Sequence, residues 1–233
     1  MKKFSNRYIF LFSTVMVVIV ASLLSLAATL LQPAQERNLE IEKKKSMLES
    51  IRVPATRNDA VELYDKYIRE SLVLNIKGEV IDNVDAFTVV LRNEQKKPLE
   101  EQYLPVFISV PDNGEKVIIL PVEGKGLWGP IYGYVSLLPD MNTIYGVTFD
   151  HKGETPGLGA EINTTNFENM FLEKKLFDNE NFVSVQVVKG GANPDDIHGV
   201  DAISGGTITS KGLEKMLFDC IMKYEDYLLK NRN

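Results

Sequence analysis

Tyr8 to Leu31 is an uninterrupted run of 24 residues without a charged side chain. No other feature constrains the chain as much. As a helix the run is about 36 Å long, enough to cross a hydrocarbon core of about 30 Å with some tilt. A cleaved signal peptide has a shorter apolar region that ends at a small-x-small site. Here Leu26-Ala27-Ala28-Thr29-Leu30-Leu31 stays apolar past the small residues. The run therefore reads as one transmembrane helix over 8–31. Lys2, Lys3 and Arg7 precede it, and the positive-inside rule places 1–7 in the cytoplasm and the rest of the chain outside. No acidic side chain interrupts the span, so nothing in it suggests an ion path.

The anchor divides the charge. Residues 1–35 hold three basic and no acidic side chains, which leaves 23 basic and 32 acidic side chains in 36–233, a formal −9. An acidic body is a poor match for a phosphate backbone, which argues against nucleic acid as a partner. The single Cys220 excludes an intramolecular disulfide framework, a four-cysteine iron–sulfur cluster and Cys-rich zinc sites.

Beyond the span, Pro33 is expected to end the helix, with a polar juxtamembrane helical region over 32–70 leading to a folded domain over 71–233. Pro54 breaks the juxtamembrane helix, and Asn58 precedes a second helical pattern. From Leu72 to Arg92 the pattern turns to β. Strands are expected over 103–110 and 117–122 around Asp112-Asn113-Gly114, and a hairpin over 131–138 and 143–149. A helix is expected over 164–177 and a strand over 183–188. Leu213, Met216, Leu217, Cys220, Ile221, Tyr224 and Leu228 mark one face of a long C-terminal helix. Strands and helices do not alternate strictly, so the class is α+β, with a mixed or antiparallel sheet.

Three glycine-bearing loops could carry chemistry. Asp201 to Ser210 leads into the C-terminal helix. A helix start has free N–H groups and a favourable dipole for phosphate, and Ser204, Thr207, Thr209 and Ser210 add hydroxyls around Gly205 and Gly206. The same residues would also serve an ordinary capped helix start. Lys189-Gly190-Gly191 follows a strand; it can present backbone N–H groups and a cation to phosphate, or form a simple turn. In Glu154 to Gly159, Pro156-Gly157 reads as a turn with glycine at the positive-φ position. Leu158 is then either displayed for packing against a flat ring or folded back into the core. Trp128, the one tryptophan, either stacks on an aromatic ligand or anchors its loop. His151, Glu154 and His198 match no compact metal-ligand spacing, so no metal site is expected. Walker, dinucleotide-fingerprint and Gly-x-Ser-x-Gly motifs are absent from the sequence, and no catalytic acid–base set is expected.

Asp201-Ala202-Ile203-Ser204-Gly205-Gly206-Thr207 resembles the Asp-x-x-Ser/Thr-Gly-Ala-Thr pattern at which a flavin transferase joins FMN to threonine through its phosphate. Gly206 stands where alanine is usual. Gly126-Leu127-Trp128, Glu154-Thr155-Pro156-Gly157-Leu158-Gly159, Lys189-Gly190-Gly191 and His198-Gly199-Val200-Asp201 extend a resemblance to the FMN-binding domain found in the C subunit of the sodium-translocating NADH:quinone oxidoreductase family. That resemblance implies one covalent FMN per chain on Thr207. Ser204, Gly205, Gly206, Thr209 and Gly190 would lie near the phosphate, Lys189 would partner the phosphate or the ring, and Thr155, Gly157, Leu158 and Trp128 would lie near the ring. It also implies single-electron relay within an oxidoreductase complex of the bacterial inner membrane that pumps Na+, with the other subunits and the flavin transferase as partners. The related G subunit of Rnf-type ferredoxin:NAD complexes shares the anchor and the threonine. A membrane-anchored binding domain without a redox role is the reading from another class.

Overall fold

The computed structural model describes residues 5–112 and 114–232. Lys2, Lys3 and the Asn113 position of the expected turn lie outside the described residues. The chain divides into two compact units, Met1–Lys43 and Lys44–Asn233. The boundary falls inside the 32–70 stretch.

Helix α1 (Asn6–Ser50) carries the apolar run and is long and apolar enough to cross a membrane. Contrary to expectation, Pro33 does not end it. Proline forfeits one backbone bond, a loss that 45 residues of otherwise continuous helix absorb. The helix stops at Ser50, ahead of Pro54.

The second unit is built on five antiparallel strands in sequence order: β1 (Ile68–Leu74), β2 (Leu104–Ser109), β3 (Val117–Lys125), β4 (Pro130–Leu137) and β5 (Ile144–His151). Helix α2 (Ala60–Tyr67) leads into β1, and a four-residue α3 (Leu91–Glu94) precedes β2. The sheet is covered on both faces, which is why β2 is buried at every position instead of alternating. On one face Ile118, Leu120, Val122, Val106, Val135 and Phe149 join a core that includes Leu213, Leu217, Ile221 and Tyr224. On the other face Ser136 Oγ meets Ser50 Oγ at 2.8 Å. Met47, Leu48 and Ile51 at the end of α1 are buried in this unit.

After β5 come α4 (Thr165–Asn169), the short pair β6 (Phe177–Asp178) and β7 (Asn181–Phe182), and a parallel pair, β8 (Gln186–Val188) and β9 (Gly199–Asp201). Helices α5 (Thr207–Ile221) and α6 (Glu225–Asn231) close the chain, joined by a 3-10 turn.

Two further expectations are corrected. The β-like stretch 72–92 forms a strand only to Leu74; Val80 makes a lone bridge to Leu74, and Ala86–Thr88 is a 3-10 turn capped by Asp85. Asn83 takes a positive φ of 62°, which breaks strand geometry. The helix expected over 164–177 stops at Asn169. Glu173 has φ 63°, and Asn142 Oδ1 accepts from the N–H of Leu176 and Phe177 at 2.9 and 2.8 Å. These bonds hold that segment extended against the β4–β5 turn.

Among the described residues Glu168 on α4 is the one carboxyl pushed high, from 4.5 to about 7. Burial is the main cause, and the negative Glu49 and Asp150 add to it. The N–H of Phe149, which donates to its Oε1 at 2.8 Å, and Lys45 oppose the shift. The folded state thus holds this proton where the unfolded chain has released it. The contribution of Glu168 to stability is expected to fall as pH rises from about 4.5 to about 7 and to stay level above that. Glu168→Gln keeps an acceptor for Phe149 and should remove this slope. Urea midpoints of wild type and variant across that window check it; parallel curves would refute it.

Candidate functional site

Three loops meet at the start of α5. The first connects β3 to β4 and carries Leu127 and Trp128. The second follows β5 and carries Glu154 to Gly159. The third runs from β9 to Thr207, the first residue of α5. Helix α5 packs on β3 through its apolar face, and this packing brings the third loop to the first two.

The hydroxyls at the helix start are divided between two tasks. Thr209 and Ser210 are each 1 % exposed. Thr209 Oγ1 donates to Glu154 Oε2 at 2.6 Å, and Ser210 Oγ accepts from the N–H of Ile203 at 3.1 Å. Both are spent on holding loop to helix. Thr207 is half-buried and Ser204 is exposed. The first i to i−4 bond of α5 runs from Ser210 N to Gly206 O, so the N–H groups of Thr207, Ile208 and Thr209 have no partner within the helix. No side chain caps this end, and the first turn contains no acid. An anion held at Thr207 would meet free N–H groups and the positive end of the helix dipole.

Apolar side chains are displayed on the loops that meet here and on the helix start. Trp128 is 70 % exposed, Ile208 59 % and Leu158 41 %; Leu127 is exposed as well. Leu158 therefore does not fold back into the core. It lies against the loop that leads into α5, where a Cβ added at Gly205 would come 2.5 Å from Leu158 Cδ2. Gly205 also has φ 76°, a backbone conformation that disfavours a side chain there. Gly157 has φ 74°, as the Pro-Gly turn requires. Thr155 is exposed, and its carbonyl accepts from the N–H of Leu158 and Ala160, both at 3.1 Å. An exposed apolar rim around a free hydroxyl suits the face of a flat ring.

Lys189 is exposed at the end of β8. Gly190 and Gly191 follow it with φ 91° and 104°. The parallel β8–β9 pair sets Val188 beside Asp201, and Asp201 Oδ1 accepts from the N–H of Ala192 at 2.7 Å. The two loops are thereby tied together, with Lys189 directly after the paired Val188. The histidines are used locally. His151 Nδ1 accepts from the N–H of Glu154 at 3.2 Å, and His198 Nδ1 meets the Lys175 carbonyl at 2.7 Å. Among the described residues no group of three or more His, Cys, Asp or Glu side chains could hold a metal ion.

Glu154 is the residue whose importance the sequence conceals. In the sequence it is legible as one member of an unconvincing metal set and as the first residue of the Glu154–Gly159 motif, with no role of its own. In the fold it is 5 % exposed. Burial alone would raise its carboxyl. The hydrogen bonds from the Thr209 hydroxyl and the N–H groups of Trp128 and Gly129, with His151 nearby, outweigh burial and hold it below the usual value. Sequence reasoning also misses Ile208 and Leu127. A lone apolar residue between hydroxyls at a helix start, and one beside a loop tryptophan, are the available signals.

The loop cluster lies in a segment that resembles an FMN-binding domain. The FMN-binding domain family matches residues 126–222, a span that contains all three loops. Over 219 residues the chain is 34 % identical to the C subunit of the Na(+)-translocating NADH-quinone reductase of Haemophilus ducreyi, covering 88 % of this chain and 83 % of that protein. The C subunit of the Vibrio vulnificus enzyme is 33 % identical, at 84 % and 83 % coverage. The crystal structure of the corresponding protein from Parabacteroides distasonis superposes with a TM-score of 0.79 at 41 % identity, covering 85 % of this chain and 96 % of that one. The NqrC structure from Shewanella oneidensis gives 0.72 at 28 % identity, with 85 % and 98 % covered. The chain belongs to the NqrC family, the C subunits of Na(+)-translocating NADH-quinone reductases.

Proposed function

We propose that this chain is the membrane-anchored flavoprotein subunit of a Na(+)-translocating NADH-quinone reductase, holding one FMN esterified through its phosphate to Thr207 and relaying single electrons between other redox centres of the complex. The observation that carries the reading is the half-exposed Thr207 on an uncapped helix start, inside a rim of displayed Trp128, Leu158 and Ile208. The residues fit the group. Free N–H groups of the first helical turn receive the phosphate, with Lys189 as the nearby cation, and the apolar rim receives the ring. FMN supplies the electron-transfer chemistry when bound, and this chain supplies the tether, the orientation and the surroundings. A covalent tether also prevents loss of a cofactor that would diffuse away outside the cytoplasm. The anchor would keep 1–7 in the cytoplasm and the domain outside, and a flavin transferase would mature the protein. Sodium movement would belong to other subunits, since no acid lies within the span.

The test uses the full-length protein, co-expressed with a flavin transferase and denatured in detergent. Yellow fluorescence that migrates with the polypeptide is expected. A dark polypeptide would remove the covalent-flavin reading.

A further inference from the structure

The buried carboxylate of Glu154 joins elements that have little in common except the site. Its Oε1 accepts from the N–H of Trp128 at 2.8 Å. Its Oε2 accepts from Thr209 Oγ1 at 2.6 Å, two residues beyond Thr207 on the first turn of α5. The chain leaves room for this carboxylate with two glycines. A Cβ added at Gly126 would lie 2.5 Å from Oε1, and one added at Gly159 would lie 2.5 Å from Oε2 and collide with Thr209 Oγ1. One bridging group thus joins the first two loops to the first turn of α5, the helix that the third loop enters. Thr209 sits beside Thr207, the Trp128 amide beside the Trp128 ring, and Glu154 itself four residues before Leu158.

A carboxylate is well suited to this task. It accepts several hydrogen bonds in fixed directions, and charge-assisted bonds are about twice as strong as neutral ones. Burial makes losing one partner costly, since the charge has no water to replace it.

We propose that Glu154 is a positioning residue for the flavin, clasping the attachment helix through Thr209 to the Trp128 loop so that the tether and the ring platform keep one fixed geometry. The inference rests on the reading of FMN at Thr207. It concerns how that group is held, and it predicts an effect on the protein before any flavin is attached.

The test compares full-length wild type with Thr209→Val, which keeps the side-chain shape and removes the hydroxyl, and with Glu154→Gln, which keeps the shape and removes the charge. Trp128 is the only tryptophan, so intrinsic tryptophan fluorescence reports this loop alone. Without flavin, both variants should show lower Trp128 anisotropy and about tenfold faster exchange of the Trp128 amide, the factor for losing one net hydrogen bond. With flavin attached, both should still carry the label but show altered flavin emission and a shifted midpoint potential. If Glu154→Gln does not fold, Thr209→Val decides alone. Wild-type anisotropy and exchange in the variants would overturn the clasp. A loosened Trp128 with wild-type flavin emission and potential would overturn the positioning role and leave a merely structural bond. A wild type that carries no flavin would instead sink the Thr207 reading, while the flavin-free measurements still judge the clasp.

Discussion

Replacing Thr207 by valine is expected to abolish protein-bound flavin completely while leaving the fold intact. Valine keeps the β-branched shape of threonine and lacks only the hydroxyl that would become the ester oxygen. Thr207 is the first residue of α5, and no side chain caps that helix, so removing the hydroxyl should cost little stability. After co-expression with a flavin transferase and denaturing electrophoresis, wild type should fluoresce and Thr207→Val should be dark. The parallel variants make the assignment specific. Thr209→Val loses a hydroxyl that is buried and bonded to Glu154, and it should remain labelled. Ser204→Ala should also remain labelled. Fluorescence that persists in Thr207→Val would place the ester elsewhere, with exposed Ser204 the first residue to examine.

The second large effect is on stability. Phe171 is fully buried, with its ring centroid 5.2 Å from Phe149 and 5.4 Å from Phe167, edge-on to both. Truncating a buried phenylalanine to alanine leaves a cavity and removes transfer energy, together about 3–5 kcal/mol. A domain stable by about 5–15 kcal/mol loses a large fraction of its margin. Phe171→Ala should therefore lower the urea midpoint markedly with little change in the slope of the transition. Phe171 packs with Phe149 and Phe167 in the core and is not one of the residues displayed on the three loops. Any surviving folded protein should still accept flavin at Thr207. A midpoint within error of wild type would contradict the packing described for this layer.

Some elements announce themselves locally. The hairpin of β4 and β5 is legible from alternating apolar residues around Pro139-Asp140-Met141-Asn142, and the structure pairs Ile131 with His151 through Leu137 with Ile144. The C-terminal helical region is legible from its apolar face, whose residues from Leu213 to Leu228 all enter the core. Other segments mislead because tertiary contacts outweigh local preference. The helical pattern after Thr164 yields where Asn142 takes the N–H groups of Leu176 and Phe177. The β-rich composition after Leu72 finds only the short pairing at Leu74 and Val80. In α1 the error runs the other way: Pro33 is a strong local breaker, and the helix passes through it.

The 24-residue uncharged run is readable from the sequence as one helix long and apolar enough to cross a membrane, because its length and lack of charge are local properties. So are the single cysteine, which leaves no pair for an intramolecular disulfide, and the Gly- and hydroxyl-bearing loop ending at Thr207, since composition and motif spacing are local as well. Only the tertiary structure decided which hydroxyl is available. Motif resemblance singles out Thr207, but Thr207 and Thr209 are both threonines on the first turn of one helix, and helix geometry alone does not say which hydroxyl is spent on packing. The packing of α5 on β3 turns Thr209 inward onto Glu154 and leaves Thr207 at the rim. That distinction rests on a contact between distant segments, which exists only once the chain has folded.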